Sequence, residues 1–141
     1  MSDQSLRRLP GGLLAFALAA GVCDLLTGLG LLAVPQLTLA AMGAHGELVQ
    51  PVFLRFVGAF VAAVGALYLY PFALGGPRRD GRLKGVLEAT ALVRGAVALF
   101  VTASLVAGAL EPAWIAVAAT DGILSAVQLW ILHRTAAGEA G

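Results

Sequence analysis

The chain has 141 residues, of which 60% are hydrophobic and only 12% are charged, and its formal net charge is +1. Soluble domains are about 45–50% apolar and about 25% charged, so this composition excludes an ordinary soluble domain and favours a membrane protein. The single cysteine excludes an intrachain disulfide and any cysteine-based zinc or iron–sulfur cluster within one chain.

Four apolar runs divide the chain, each near the roughly 20 residues that a helix needs to cross a bilayer. We predict membrane spans over residues 11–34, 52–74, 85–110 and 113–132, which make residues 1–141 a single membrane domain. The predicted fold class is all-α, an integral membrane four-helix bundle. The first run is too long for the apolar region of a signal peptide, so we expect it to be an uncleaved span.

The connections between the spans carry turn residues. The longest loop, residues 35–50, has an apolar first half, which predicts a short interfacial helix ended by Gly43 and Gly46. The loop between the second and third spans reads GGPRRDGRLK and is strongly basic. Between the third and fourth spans, Glu111 and Pro112 indicate a tight turn.

The positions of the basic residues predict the orientation. Outside the spans, every Lys and Arg lies on the side shared by both termini and the middle loop. Because cytoplasmic loops are enriched in basic residues, we expect both termini in the cytoplasm. Aromatic residues near the span ends fit interfacial belts, with Trp114 on the outer side and Tyr68, Tyr70 and Trp130 on the inner side.

The basic middle loop is most simply a topology signal. It is also expected to attract anionic lipid, by about 1 kcal/mol per basic residue, through Arg78, Arg79, Arg82 and Lys84. The small net charge gives no reason to expect a nucleic-acid partner.

A charged residue near the middle of a span raises the free energy of membrane insertion unless an opposite charge compensates it. Arg94 lies in the third span, while Asp24 and Asp121 lie near the centres of the first and fourth. Arg55 lies near the outer end of the second span and could reach Asp121 or extend outward to the head groups. The four charges sum to zero, so we predict an intramembrane charge cluster of Asp24, Arg55, Arg94 and Asp121.

Small and polar residues share helix faces with these charges. The relevant stripes are Ala17, Gly21, Asp24 and Gly28; Arg55, Gly58, Ala62 and Gly65; and Ala118, Asp121, Ser125 and Gln128. Small residues let helices approach closely in lipid and polar ones hydrogen-bond between helices, so we expect these faces to point inward. Thr27, Ser125 and Gln128 are the expected polar supports of the cluster.

The charge cluster has two interpretations. It can be structural, since paired buried charges fix the arrangement of helices, or it can bind a proton or a ligand, which intramembrane ionisable residues often do. Asp24 with Asp121 is geometrically conceivable as an acid–base pair, but Arg94 beside them favours two ionised carboxylates. His45 and His133 fall on opposite sides of the membrane, so we expect no metal, no cofactor and no catalysis.

Several segments resemble the DoxX-like small four-helix membrane proteins of bacteria. They are GLGLLAVP at the end of the first span, LRFVGAFVAAVGALYLY in the second, Arg94 and Asp121. The resemblance covers residues 13–132 and implies a four-helix membrane protein of a bacterial cytoplasmic (inner) membrane. The wider family includes subunits associated with quinone-linked sulfur oxidation and with membrane redox complexes, and most members are uncharacterised. No residue here matches a family active site.

Two main hypotheses of function remain. The first is an accessory or assembly subunit of a larger membrane complex, with other membrane subunits or further copies of the chain as partners. The second is a small transporter or ligand-binding protein that uses Asp24, Asp121 and Arg94 for a proton or an organic cation. A weaker third option is a quinone or lipid head-group site at the outer end, formed by Arg55, Trp114 and His45.

Overall fold

The chain forms four long helices and one short one in the computed structural model, which describes residues 11–44, 51–74 and 82–137. The long helices are α1 (Gly11–Ala33), α3 (Pro51–Ala73), α4 (Arg82–Val106) and α5 (Ile115–Ala137). The short helix α2 (Pro35–Ala41) follows α1, and a single 3₁₀ turn (Pro112–Trp114) leads into α5. The described residues contain no strand. Four helices are long and apolar enough to cross a membrane, which indicates a multi-pass membrane protein.

Helices α4 and α5 differ from their predicted spans: α5 runs to Ala137, beyond the predicted end at residue 132, and α4 is displaced at both ends from residues 85–110. The two ends of α4 have identifiable causes. The helix begins at Arg82, because the polar residues that end the basic loop are good helix formers and Leu83 is fully buried there. It ends at Val106, because Gly108 adopts a left-handed φ of 70°. The Gly108 N–H then donates to Leu105 O and the Ala109 N–H to Ser104 O, which is the Schellman arrangement that closes a helix.

The short helix predicted after the first span is present as α2. Pro35 occupies its first turn, where a missing N–H costs nothing. Gly43 ends it with a φ of 84°, and the Ala44 N–H donates to Leu39 O over the turn. Gly46, the second expected terminator, and His45 lie outside the described residues.

The long helices form two antiparallel pairs, α1 with α3 and α4 with α5. In the first pair the backbones touch, because Gly21 lies against Gly65 and Gly28 against Gly58. In the second pair the Ser125 hydroxyl donates to Ala91 O over 2.8 Å. Contacts between α3 and α4, which join the two pairs, are much sparser than contacts within a pair.

The buried apolar core lies toward one end of the bundle. We call this the basic end: α1 and α4 begin there, α3 and α5 finish there, and Arg82, Lys84 and Arg134 lie there. The opposite end is called the α2 end. The core side chains are Leu13, Ala17, Ala20, Val64, Tyr68, Leu83 and Leu87. Large apolar side chains such as Leu26, Phe56, Leu92 and Ile123 point outward, as expected of helices that face lipid.

Candidate functional site

Arg94 is the centre of the polar interior. It lies midway along α4 and is only 5% exposed. Its Nη2 donates to Oδ2 of Asp24 on α1, and its Nη1 donates to Oδ1 of Asp121 on α5. Its Nε donates to the hydroxyl of Tyr68 on α3 over 3.2 Å. The guanidinium group therefore bonds one side chain from each of the other three long helices.

A network of neutral side chains continues from Arg94 toward the basic end. The Tyr68 hydroxyl, fully buried, accepts a second hydrogen bond from Nε2 of Gln128. The same Gln128 nitrogen donates to Oγ1 of Thr90 over 3.0 Å, and Thr90 donates to Val86 O over 2.7 Å. Buried polar groups are costly unless hydrogen-bonded, and these side chains satisfy one another across α3, α4 and α5.

One atom of this network lacks a partner. Oε1 of Gln128 is the only buried side-chain nitrogen or oxygen in the described part of the chain that makes no hydrogen bond. The Tyr68 hydroxyl meanwhile accepts from two N–H groups.

Small residues bring α5 close enough to Arg94 for these bonds. A Cβ on Gly95 of α4 would lie 3.2 Å from the Ser125 hydroxyl, and one on Gly122 of α5 would lie 3.8 Å from Ala98. Ser125 itself bonds back to the α4 backbone. The polar stripe predicted for the fourth span therefore faces α4 and the interior of the bundle.

The structure brings together most of the side chains that the sequence singled out. Asp24, Arg94 and Asp121 are in direct contact, and we call these three residues the central cluster. Ser125 and Gln128 are buried beside it. Thr27 is half-buried, but its hydroxyl makes no hydrogen bond within the described residues.

Arg55 is not part of the central cluster. It is exposed in the first turns of α3 and makes no ion pair with any described residue. The buried face of α3 contains Gly58, Gly65 and Tyr68. Toward the start of the helix, the residue on this face is Leu54, which is half-buried. At 100° per residue, Arg55 points to a different side of the helix. The predicted neutral set of four charges is therefore reduced to three, with one guanidinium and two carboxylates.

Tyr68 and Thr90 were not predicted as members of the site. We placed Tyr68 in an interfacial aromatic belt, but its side chain is fully buried and bonds Arg94. A sequence signal existed for both residues. Tyr68 follows Gly65 by three positions and Thr90 precedes Arg94 by four, so each shares a helix face with a residue already assigned to the interior.

Fold and site together define a multi-pass helical membrane protein whose two helix pairs meet at a buried arginine–aspartate cluster. Comparison of the chain with protein-family models, with curated proteins and with solved structures finds no match. The resemblance to the DoxX-like proteins therefore stays a prediction from the sequence.

Removing the Tyr68 hydroxyl tests the neutral part of the network. Tyr68→Phe is expected to lower the free energy of unfolding by about 1–2 kcal/mol, because the N–H groups of Arg94 and Gln128 lose a buried acceptor. The matched control is Tyr70→Phe, since Tyr70 is 49% exposed on the same helix. Unfolding in mixed detergent micelles measures both variants. Equal effects of the two substitutions would contradict the role assigned to Tyr68.

Proposed function

We propose that this chain is a non-catalytic accessory or assembly subunit of a larger membrane complex. The observation that carries the proposal is the bonding of Arg94. All three nitrogen atoms of its guanidinium group are engaged, each with a different helix of the same chain. An arginine whose charge is paired with carboxylates of its own chain stabilises the arrangement of the helices and is poorly placed to act on a substrate.

The exterior of the bundle supports a role in association. All four long helices present large apolar side chains outward, and the described loops are short. The described part of the bundle offers partners mainly its lipid-facing helix surfaces, which suits a subunit that packs beside other membrane helices. Membrane redox complexes are the partner class that the DoxX-like resemblance suggests, and further copies of the chain are the other candidate.

The proposed location is the cytoplasmic (inner) membrane of a bacterium with both termini in the cytoplasm. The exposed or half-buried basic residues of the described part favour this orientation, since Arg82, Lys84 and Arg134 lie at the basic end and only Arg55 lies toward the α2 end. Arg78 and Arg79, which we also expect to meet anionic lipid, lie outside the described residues. In this orientation α2 lies on the outer side of the membrane.

Gentle solubilisation followed by affinity purification tests the proposal. We expect the tagged chain to elute with one or more membrane subunits in fixed stoichiometry, measured by native electrophoresis and mass spectrometry. An unrelated four-helix membrane protein of similar size with the same tag is the control. We also expect that deleting the chain lowers the amount of the assembled partner complex. A chain that elutes alone, and whose deletion leaves every membrane complex intact, would refute the proposal.

A transporter or ligand-binding function remains the second candidate, and one observation favours it. The central cluster holds two carboxylates and one guanidinium, because Arg55 lies outside it. The cluster is therefore not neutral when all three groups are ionised.

A further inference from the structure

A cation–π pair lies on the outer face of α5 at the basic end. The guanidinium carbon of Arg134 is 4.3 Å from the centre of the Trp130 ring system, and both side chains are exposed. A guanidinium group stacked on an aromatic face keeps its N–H groups at its own edge, where they can still donate. Within the described ranges, the Arg134 side chain makes no ion pair and no hydrogen bond. The pair therefore presents a positioned cation whose donors are unused.

The register of α5 against α4 gives the depth of this pair. Gln128 of α5 bonds Thr90 of α4, and the two helices are antiparallel. Six residues further along α5, Arg134 therefore comes near the level of Lys84, in the first turn of α4. Arg134 is also the last residue of the fourth candidate membrane span. It lies where the apolar part of the helix ends, which is the level of the lipid phosphate groups.

An apolar strip continues from this pair toward the middle of α5. Ile123, Val127, Trp130 and Arg134 follow one another at steps of four, three and four residues and share one helix face. Ile123 is 63% exposed, Val127 36% and Trp130 55%. The strip is about 16 Å long at 1.5 Å per residue, which is close to half of the roughly 30 Å hydrocarbon core. Its length and its order of polar and apolar groups match one phospholipid in one leaflet.

We propose that this face of α5 is a binding site for one anionic phospholipid. The lipid phosphate accepts hydrogen bonds from the free N–H groups of Arg134, which are strong because both partners are charged. Trp130 holds the guanidinium group in place from below, and one acyl chain lies along Val127 and Ile123. A zwitterionic lipid is disfavoured, because its own cationic group would enter a level that already carries Lys84 and Arg134.

This site differs from the general attraction of anionic lipid to the basic middle loop. A negative surface potential attracts any basic residue near the membrane, and the effect depends on how many there are. The site on α5 requires one arginine and the indole beside it, and neither belongs to that loop. It also requires no partner subunit, so it is independent of the proposed assembly role.

The two tryptophans of the chain allow a fluorescence test with an internal control. Trp114→Phe leaves Trp130 as the only tryptophan, and Trp130→Phe leaves Trp114, toward the α2 end. Each full-length variant is placed in phosphatidylcholine vesicles that contain rising fractions of phosphatidylglycerol with brominated acyl chains, which quench tryptophan on contact. Brominated phosphatidylcholine gives the reference. Trp130 should show at least about a tenfold preference for the anionic lipid, the equivalent of one charge-assisted hydrogen bond, and Trp114 should show none. No preference at Trp130, or the same preference at both tryptophans, would overturn the proposal.

A matched pair of substitutions in the Trp114→Phe variant locates the site. Arg134→Gln should bring the preference measured at Trp130 to within about twofold of none, because the lost hydrogen bonds were charge-assisted. Arg82→Gln removes one exposed basic residue at the same end of the bundle. At about 0.15 M salt, which screens distant charges, it should change the preference less than about twofold. Equal losses in the two variants would assign the preference to the total charge of the basic end and refute a site at Arg134.

Discussion

Arg94→Leu is expected to lower the free energy of unfolding by about 3–5 kcal/mol. The substitution leaves the carboxylates of Asp24 and Asp121 in the interior without the group that bonds both, and breaking a buried pair from one side has a cost of this size. It also removes one of the two N–H groups that donate hydrogen bonds to the buried Tyr68 hydroxyl. Unfolding in mixed detergent micelles measures the loss, and the amount of folded protein in the membrane should fall with it.

Removing the acids together with the arginine should restore part of this stability. In Arg94→Leu with Asp24→Asn and Asp121→Asn the central cluster carries no charge, so the cost of burying unpaired carboxylates is removed and only the smaller cost of unpaired amides is left. Arg94→Lys should be intermediate, because a single ammonium group cannot reproduce the planar set of donors that meets three helices. Arg55→Leu is the control and should change stability by no more than about 0.5 kcal/mol, since Arg55 is exposed and without an ion pair in the described residues.

The outcome for Arg94→Leu decides between interpretations of the central cluster. A variant that accumulates in the membrane like the wild type would show that the cluster does not hold the two helix pairs together. The proposed structural role would then be wrong. A destabilised single variant that is not rescued by the two Asp→Asn changes would also contradict it, because the cost would not come from uncompensated carboxylates.

Hydropathy and helix periodicity predict most of the architecture. Runs of about 20 apolar residues locate the four long helices, because backbone groups in lipid must be satisfied within a segment. The contact of Gly21 with Gly65 and of Gly28 with Gly58 follows from the small-residue stripes. The sequence also predicts the interior positions of Asp24, Arg94 and Asp121, because a charge at mid-depth has a lower free energy inside the bundle than on its lipid-facing surface.

The features that the sequence did not predict depend on helix rotation and on packing between the pairs. Arg55 and Leu54 are neighbours in sequence, and a rotation of α3 by 100° would exchange their environments. The sequence stripe for the second span included Arg55, but close contact between Gly58 and Leu31 of α1 turns Leu54 inward instead. Tyr68 was misplaced because depth alone puts a tyrosine in the interfacial belt, whereas its face on α3 puts it against Arg94.

Glycine-to-alanine substitutions should have opposite signs in different parts of the bundle. Gly28→Ala places a methyl group 2.3 Å from the Ala62 backbone nitrogen, and Gly65→Ala places one 2.4 Å from the Leu25 backbone nitrogen. A backbone atom cannot rotate away as a side chain can, so α1 and α3 must move apart. Each substitution should lower the free energy of unfolding by about 3 kcal/mol, at the upper end of the usual cost of overpacking.

Gly85→Ala is the matched control on α4. A methyl group there meets nothing within 4 Å. Alanine is a better helix former than glycine by up to about 1 kcal/mol, so this variant should be as stable as the wild type or more stable. Thermal and denaturant unfolding in the same micelles compare the three variants. Similar losses of stability in the Gly28, Gly65 and Gly85 variants would mean that glycine provides helix flexibility at these positions, and not contact between α1 and α3.

The glycine contacts should also be coupled to the central cluster. Asp24 lies between Gly21 and Gly28 on α1, and Tyr68 lies one turn beyond Gly65 on α3. Moving these helices apart displaces Asp24 and the Tyr68 hydroxyl relative to Arg94, which weakens bonds that Arg94→Leu would remove. The two changes should therefore be less than additive, and Arg94→Leu should cost less in a Gly28→Ala background by about 0.5–3 kcal/mol, the usual range for coupled neighbours. Strict additivity would mean that the α1–α3 contact and Arg94 contribute to stability independently. Close packing of α1 against α3 would then not be what positions Asp24 for its bond with Arg94.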